Sequence, residues 1–198
     1  GAEEYLREAL APYAAEPPPL LAIISSCAAG LIGDDIEAIA RGAGLSCPIA
    51  VLDSSGLAGS FADGWDKAAC AVLSAFLPEQ HAGQANAVNL IGVTSAYYNG
   101  ENDADELMRL LALAGYRVNA ALGCDMSAAD LSGLTQAALN IVVHDELGGG
   151  AAHLLAETCG MPCIAPLPPY GRAGTRKWLA EIGRVLPAPR ADAAEEEI

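Results

Sequence analysis

Short apolar runs alternate with stretches whose apolar residues recur every three or four positions, and the alternation repeats along most of the chain. Leu20-Leu-Ala-Ile-Ile-Ser-Ser26, bounded by Pro17-Pro-Pro19, fits a strand buried on both faces. Behind it Ile32, Ile36, Ile39 and Ala40 fall on one face of a helix. Asp34 and Asp35 stand in its first turn, opposing the positive end of the dipole, and Gly42 or Gly44 offers a left-handed stop. Upstream, 3–15 reads as a helix that Pro12 kinks or ends. Downstream come a strand over 47–52, a glycine-rich turn and a helix over 63–77.

After the polar, turn-rich residues 78–86 the pattern restarts. Strands are predicted over 87–93, 116–122, 140–144 and 163–165, and helices over 103–114, 148–159 and 175–184. Leu107, Leu110, Leu111 and Ala114 share one helix face, and Ser127 with Asp130 forms a capping box for a short helix. Strands alternating with helices at this spacing indicate an α/β protein with parallel sheets covered by helices. We place one α/β domain over 1–82, a second over 83–187 and a disordered acidic tail over 188–198.

Composition narrows the function. With 53% hydrophobic residues in 198, the chain is globular. Ten Lys and Arg against 25 Asp and Glu give a formal charge of −15, which argues against nucleic-acid binding. No apolar run reaches the length of a membrane span, so the chain is expected to be cytoplasmic and off the membrane. Six cysteines without a signal peptide point to reduced thiols or cluster ligands rather than disulfides.

The chemistry centres on Cys27, at a strand-to-helix loop where a helix N-terminus favours the thiolate. It is either a metal or cluster ligand or a small apolar residue filling a corner. Residues 92–102, between a strand and a helix, present glycines to an anion, but lack the spacing of a phosphate loop. Gly92 and Gly100 there read as turn glycines, and no nucleotide site is expected. His144, followed by Asp145, Glu146 and Gly148, stands at a strand end facing the same sheet edge, as a ligand or as a hydrogen-bonded structural residue. His153 reads as a packed or surface residue, and Cys47, Cys70, Cys124, Cys159 and Cys163 as structural thiols. Trp65 and Trp178 read as packed helix residues.

Cys27-Ala-Ala-Gly-Leu-Ile-Gly-Asp-Asp-Ile-Glu37 resembles a segment of the component 1 subunits of nitrogenase-type oxidoreductases. The stretch from Gly56 to Ala69 and the Gly160-Met-Pro162 turn are similar to the same family. That family includes nitrogenase, its cofactor-assembly scaffolds and the light-independent protochlorophyllide reductase. The resemblance implies a Rossmann-like fold and an iron-sulfur cluster ligated by Cys27 and shared with a like partner subunit. It also implies electrons from an ATP-dependent iron-protein reductase, and a substrate crevice beside Gly30, Gly92, Gly100, His144 and Gly148.

Two departures limit the transfer. Trp65-Asp-Lys67 stands where the molybdenum protein has adjacent histidines, and His144 lies at or within a residue of its cofactor cysteine. The expected substrate is therefore one other than dinitrogen. The chain reads as an excised part of a longer subunit, inactive by itself, and the alternative role is a non-catalytic scaffold on which a metal cofactor is assembled.

Overall fold

The computed structural model describes residues 2–26, 35–53, 59–77, 83–190 and 196. Two compact units, Gly1–Phe76 and Leu77–Ile198, divide the chain.

The first unit holds α1 (Ala2–Ala15), β1 (Leu21–Ser25), α2 (Ile36–Arg41), β2 (Ile49–Asp53) and α3 (Phe61–Phe76). β1 and β2 pair in parallel, from Leu21 opposite Ile49 to Ser25 opposite Asp53. α1 runs through Pro12 instead of ending there, and the Pro12 carbonyl accepts from Glu16 N at 3.2 Å. Asp35 is the N-cap of α2, its carboxylate accepting from Ala38 N at 2.9 Å. Gly42 stays right-handed at the helix end, and the left-handed turn falls at Gly44, φ +68°. α3 starts two residues before its expected position, because Ser60 and Asp63 close a reciprocal cap: Ser60 N and Oγ each donate to Asp63 Oδ2 at 2.7 Å.

β1 departs from expectation. It is not buried on both faces: Ala22 is exposed and Ile24 is 68% exposed. α2 and α3 pack on β2 while α1 packs on α2, so this two-stranded sheet covers β1 incompletely among the described residues.

The second unit holds β3 (Gln84–Ile91), α4 (Gly100–Leu113), β4 (Arg117–Ala121), α5 (Ala128–Gly133), a 3-10 turn (Leu134–Gln136), β5 (Ala137–Val142), α6 (Asp145–Cys159), β6 (Cys163–Ile164) and α7 (Gly171–Val185). All four strands are parallel, in the order β4-β3-β5-β6. Their alternation sorts residues between two faces. Val88, Leu90, Leu139 and Ile141 join Leu107 and Leu111 of α4 and Trp178 and Ile182 of α7 in one core. The intervening Asn89, Ile91, Asn140 and Val142 face the layer of the 3-10 turn and α6, where Asn89 Nδ2 donates to Leu134 O at 2.9 Å. The chain is tied down beyond α7: Tyr116 Oη donates to Leu186 O at 2.5 Å, and Arg190 N to Ala114 O at 2.9 Å. The expected disordered tail thus begins with ordered residues, and most of 191–198 lies outside the described residues.

Candidate functional site at the switch point of the four-stranded sheet

From β3 the chain crosses to β4 on one side, and from β5 to β6 on the other, so β3 and β5 are the neighbours at which connections diverge. Crevices at the carboxyl ends of such strands are where open α/β sheets bind ligands. Here the edge is made by residues 92–99 after β3 and by Val143 and His144 after β5, joined by Val143 N donating to Ile91 O at 2.8 Å.

Three predicted residues meet at this point. Gly92 has φ +77°, and a Cβ there would collide with the carbonyl oxygen of His144. A Cβ on Gly148 would sit 2.6 Å from Gly92 N and 2.8 Å from Ile91 Cγ2. Glycine is required at both positions because the first turn of α6 lies directly on the end of β3. Gly100 closes the other end of the loop, where a Cβ would collide with Thr94 O. Within it Ala96 N donates to Thr94 Oγ1 at 3.0 Å, Tyr97 N to Thr94 O at 3.4 Å and Gly100 N to Tyr97 O at 3.0 Å. These amides stabilise the turn itself, and the loop projects Tyr98, fully exposed, into solvent.

His144 does not end a strand. β5 stops at Val142, opposite Ile91, and His144 is the N-cap of α6 with φ −125° and ψ 111°. The helix begins at Asp145, three residues earlier than expected, because Asp145 and Glu146 suit the positive end of a helix and Gly148 fits against the end of β3. The imidazole is about one-third exposed, with Nδ1 3.9 Å from Glu146 Oε1. Asp145 and Glu146 are themselves exposed. The edge therefore presents one imidazole and two carboxylates beside a backbone that packs closely at Gly92 and Gly148.

Cys27 and Gly30 lie outside the described residues. Of the other cysteines, Cys70, Cys124, Cys159 and Cys163 all have their thiols pushed above the usual range, in each case first by burial. Burial thus favours the neutral thiol at each of these positions. Cys163 Sγ donates to Ala152 O at 3.3 Å and accepts from Asn140 Nδ2 at 3.4 Å. His153 is surface-exposed beside Glu157 at 3.2 Å. Among the described residues no three His, Cys, Asp or Glu are placed to hold a metal ion.

The sequence pattern did not reveal a polar ladder across the sheet. Asn119 Nδ2 of β4 donates to Asn89 Oδ1 of β3 at 3.0 Å, and Asn89 Nδ2 to Asn140 Oδ1 of β5 at 2.8 Å. Asn89 and Asn140 are fully buried and directly opposite one another. A one-residue slip would strand these amides in the core, so the ladder fixes the register of the strands that form the edge. Its only trace in the sequence is a lone asparagine within each buried apolar run.

The family model described as nitrogenase component 1 type oxidoreductase matches residues 1–198. The chain belongs to this family. Among its relatives, a subunit of the light-independent protochlorophyllide reductase of Chloroflexus aurantiacus is 29% identical over 175 residues, covering 88% of this chain and 32% of the relative. The corresponding subunit from Methylobacterium sp. is 30% identical over 194 residues, covering 95% and 38%. The solved structure of nitrogenase Cp1 at pH 6.5 superposes with a TM-score of 0.79 at 26% identity, covering all of this chain and 38% of that one. The chain thus spans about a third of the length of these relatives. No helix among the described residues is long and apolar enough to cross a membrane.

Proposed function

We propose that this chain is part of an oxidoreductase subunit that holds an iron-sulfur cluster through Cys27 and pairs with a like subunit. In this reading it receives electrons from an ATP-dependent iron-protein reductase and passes them to a reducible substrate other than dinitrogen. The observation that carries the reading is the family match over the whole chain. The named relatives favour a substrate of the protochlorophyllide class, a large conjugated macrocycle.

The switch-point edge is the proposed location for that substrate, with Gly92, Gly100 and Gly148 letting the backbone beneath it pack closely and His144 the one imidazole there; Gly30 joins it by resemblance. The described residues hold no ligand set for a cluster, so Cys27 would be one ligand among others from outside them. What the described residues contribute is a rigid edge that orients a ligand. The competing role, a scaffold for cofactor assembly, shares the cluster and lacks the turnover.

The test is iron and acid-labile sulfide per chain after anaerobic reconstitution of the protein, of Cys27→Ala and of Cys124→Ala. Iron and sulfide retained in Cys124→Ala and absent from Cys27→Ala are the expected result. Equal iron in all three removes Cys27 from the ligand set. Turnover with a reductase partner then distinguishes enzyme from scaffold.

A further inference from the structure

A cavity of about 670 Å³ in the second unit runs along the outer strand β4 and reaches Ser95, in the loop after β3. Val118, Asn119, Ala120 and Ala121 all line it. α4 packs on one face of the sheet and the end of α5 bonds Asn119 on the other, so a cavity bounded by both helices runs along the open edge of the strand, where a bulge at Asn119 interrupts the alternation. Among the described residues β4 pairs only with β3, which leaves its outward backbone N–H and C=O groups facing this groove. One wall is α4, through Glu101, Ala104, Asp105 and Met108; the other is the loop after β4 and α5, through Cys124, Asp125, Met126 and Asp130.

Both walls carry carboxylates, and among the described residues no lysine or arginine lines the groove. Arg117, at the other end of β4, is turned to Gln84 Oε1 at 2.9 Å. Glu101 and Asp105 also help burial to raise the Cys124 thiol, so their field reaches the groove interior. We propose that this edge is the docking site of an extended, basic segment of a partner protein, which adds to β4 as a further strand and sets its cationic side chains between the two acidic walls. Strand addition draws affinity from main-chain hydrogen bonds and specificity from alternate side chains, and the groove supplies a partner for each. A second copy of this chain fits poorly, since it would bring carboxylate walls against carboxylate walls in a protein of charge −15. The inference stands independently of the cluster reading.

The probe is a short dye-labelled peptide alternating lysine with valine, titrated by fluorescence anisotropy, with binding mapped by backbone amide shifts. Its N-methylated counterpart keeps the charge and cannot donate main-chain hydrogen bonds, so it should bind about tenfold more weakly or worse. The triple variant Glu101→Gln, Asp105→Asn, Asp125→Asn leaves Asp130 in its cap and should weaken the unmodified peptide by about tenfold. Amide shifts should concentrate in 118–121. Equal binding of the N-methylated peptide, equal binding of a glutamate-valine peptide, or shifts elsewhere overturn the proposal. So do identical shifts with spermine, which reassign the groove to a small cation. Self-association that the triple variant abolishes would give the edge to a second copy, and likewise overturn it.

Discussion

The two units use the same parallel pairing and bury it very differently. In the first, β1 and β2 form a sheet of two strands with Ile24 68% exposed, whereas in the second Ile91 and Ile141 are fully buried between helical layers. Parallel strands join through crossovers that place helices on the faces, and coverage becomes complete only when enough strands and helices accumulate. Among the described residues of the first unit, α2 and α3 pack on β2, and β1 stays more open. The second encloses its central pair β3 and β5 on both sides and adds a buried amide ladder. An apolar run thus announces a strand; the number of neighbours decides whether it becomes core.

The contrast is sharpest at two glycines of positive φ. Around Gly44 in the first unit, φ +68°, a Cβ would find nothing within 4 Å, while at Gly92 in the second, φ +77°, it would meet the His144 carbonyl. Gly92→Ala combines backbone strain with a collision and should cost about 3 kcal/mol or more. Gly44→Ala adds only the left-handed strain, about 1 kcal/mol. Urea unfolding measures both. The two tryptophans divide between the units, so Trp178 fluorescence in a Trp65→Phe background isolates the second. Equal costs for the two substitutions would mean that α6 does not lie on the end of β3.

Core truncation sharpens the comparison at smaller scale. Ile141→Ala should cost about 3 kcal/mol, since it empties a site enclosed between α4, α7 and the sheet. Ile24→Ala, by circular dichroism, should cost under about 0.5 kcal/mol because its side chain is mostly in water already. Both isoleucines belong to similar apolar runs, which is why the sequence does not separate them. What it does carry is local. The Ser127–Asp130 cap and the buried face of α4 depend on residues a few positions apart, and both are legible. His144 is misplaced by pattern alone because Ile141-Val-Val-His144 continues a strand, while pairing ends where β3 ends, a fact held by Gly92 far away in sequence. The asparagine ladder is illegible for the same reason: each lone amide is an anomaly until the register supplies its partner. Cys27 is legible as a ligand only through family resemblance, since spacing alone leaves it open.

One device is shared by both units, and it gives the smallest expected effect. Asp63 at the start of α3 and Asp130 in α5 are both held below the usual carboxylate range, Asp63 first by the backbone N–H of Ser60 and then by its hydroxyl, Asp130 first by the Ser127 hydroxyl and then by its backbone N–H. A carboxyl whose pKa is lowered on folding contributes stability that is present above its unfolded value, about 3.9, and lost as pH falls through the lower folded value. Asparagine at either position keeps an acceptor but has no charge to lose. Asp63→Asn and Asp130→Asn should therefore be slightly less stable than the parent at neutral pH and converge with it as the pH drops below the carboxylate range. Trp65 emission follows the first variant and Trp178 emission the second. A gap that persists unchanged into acid would show that the charge of the cap contributes nothing; a gap in one unit alone would show that a sequence-local cap is modulated by how well its unit is packed.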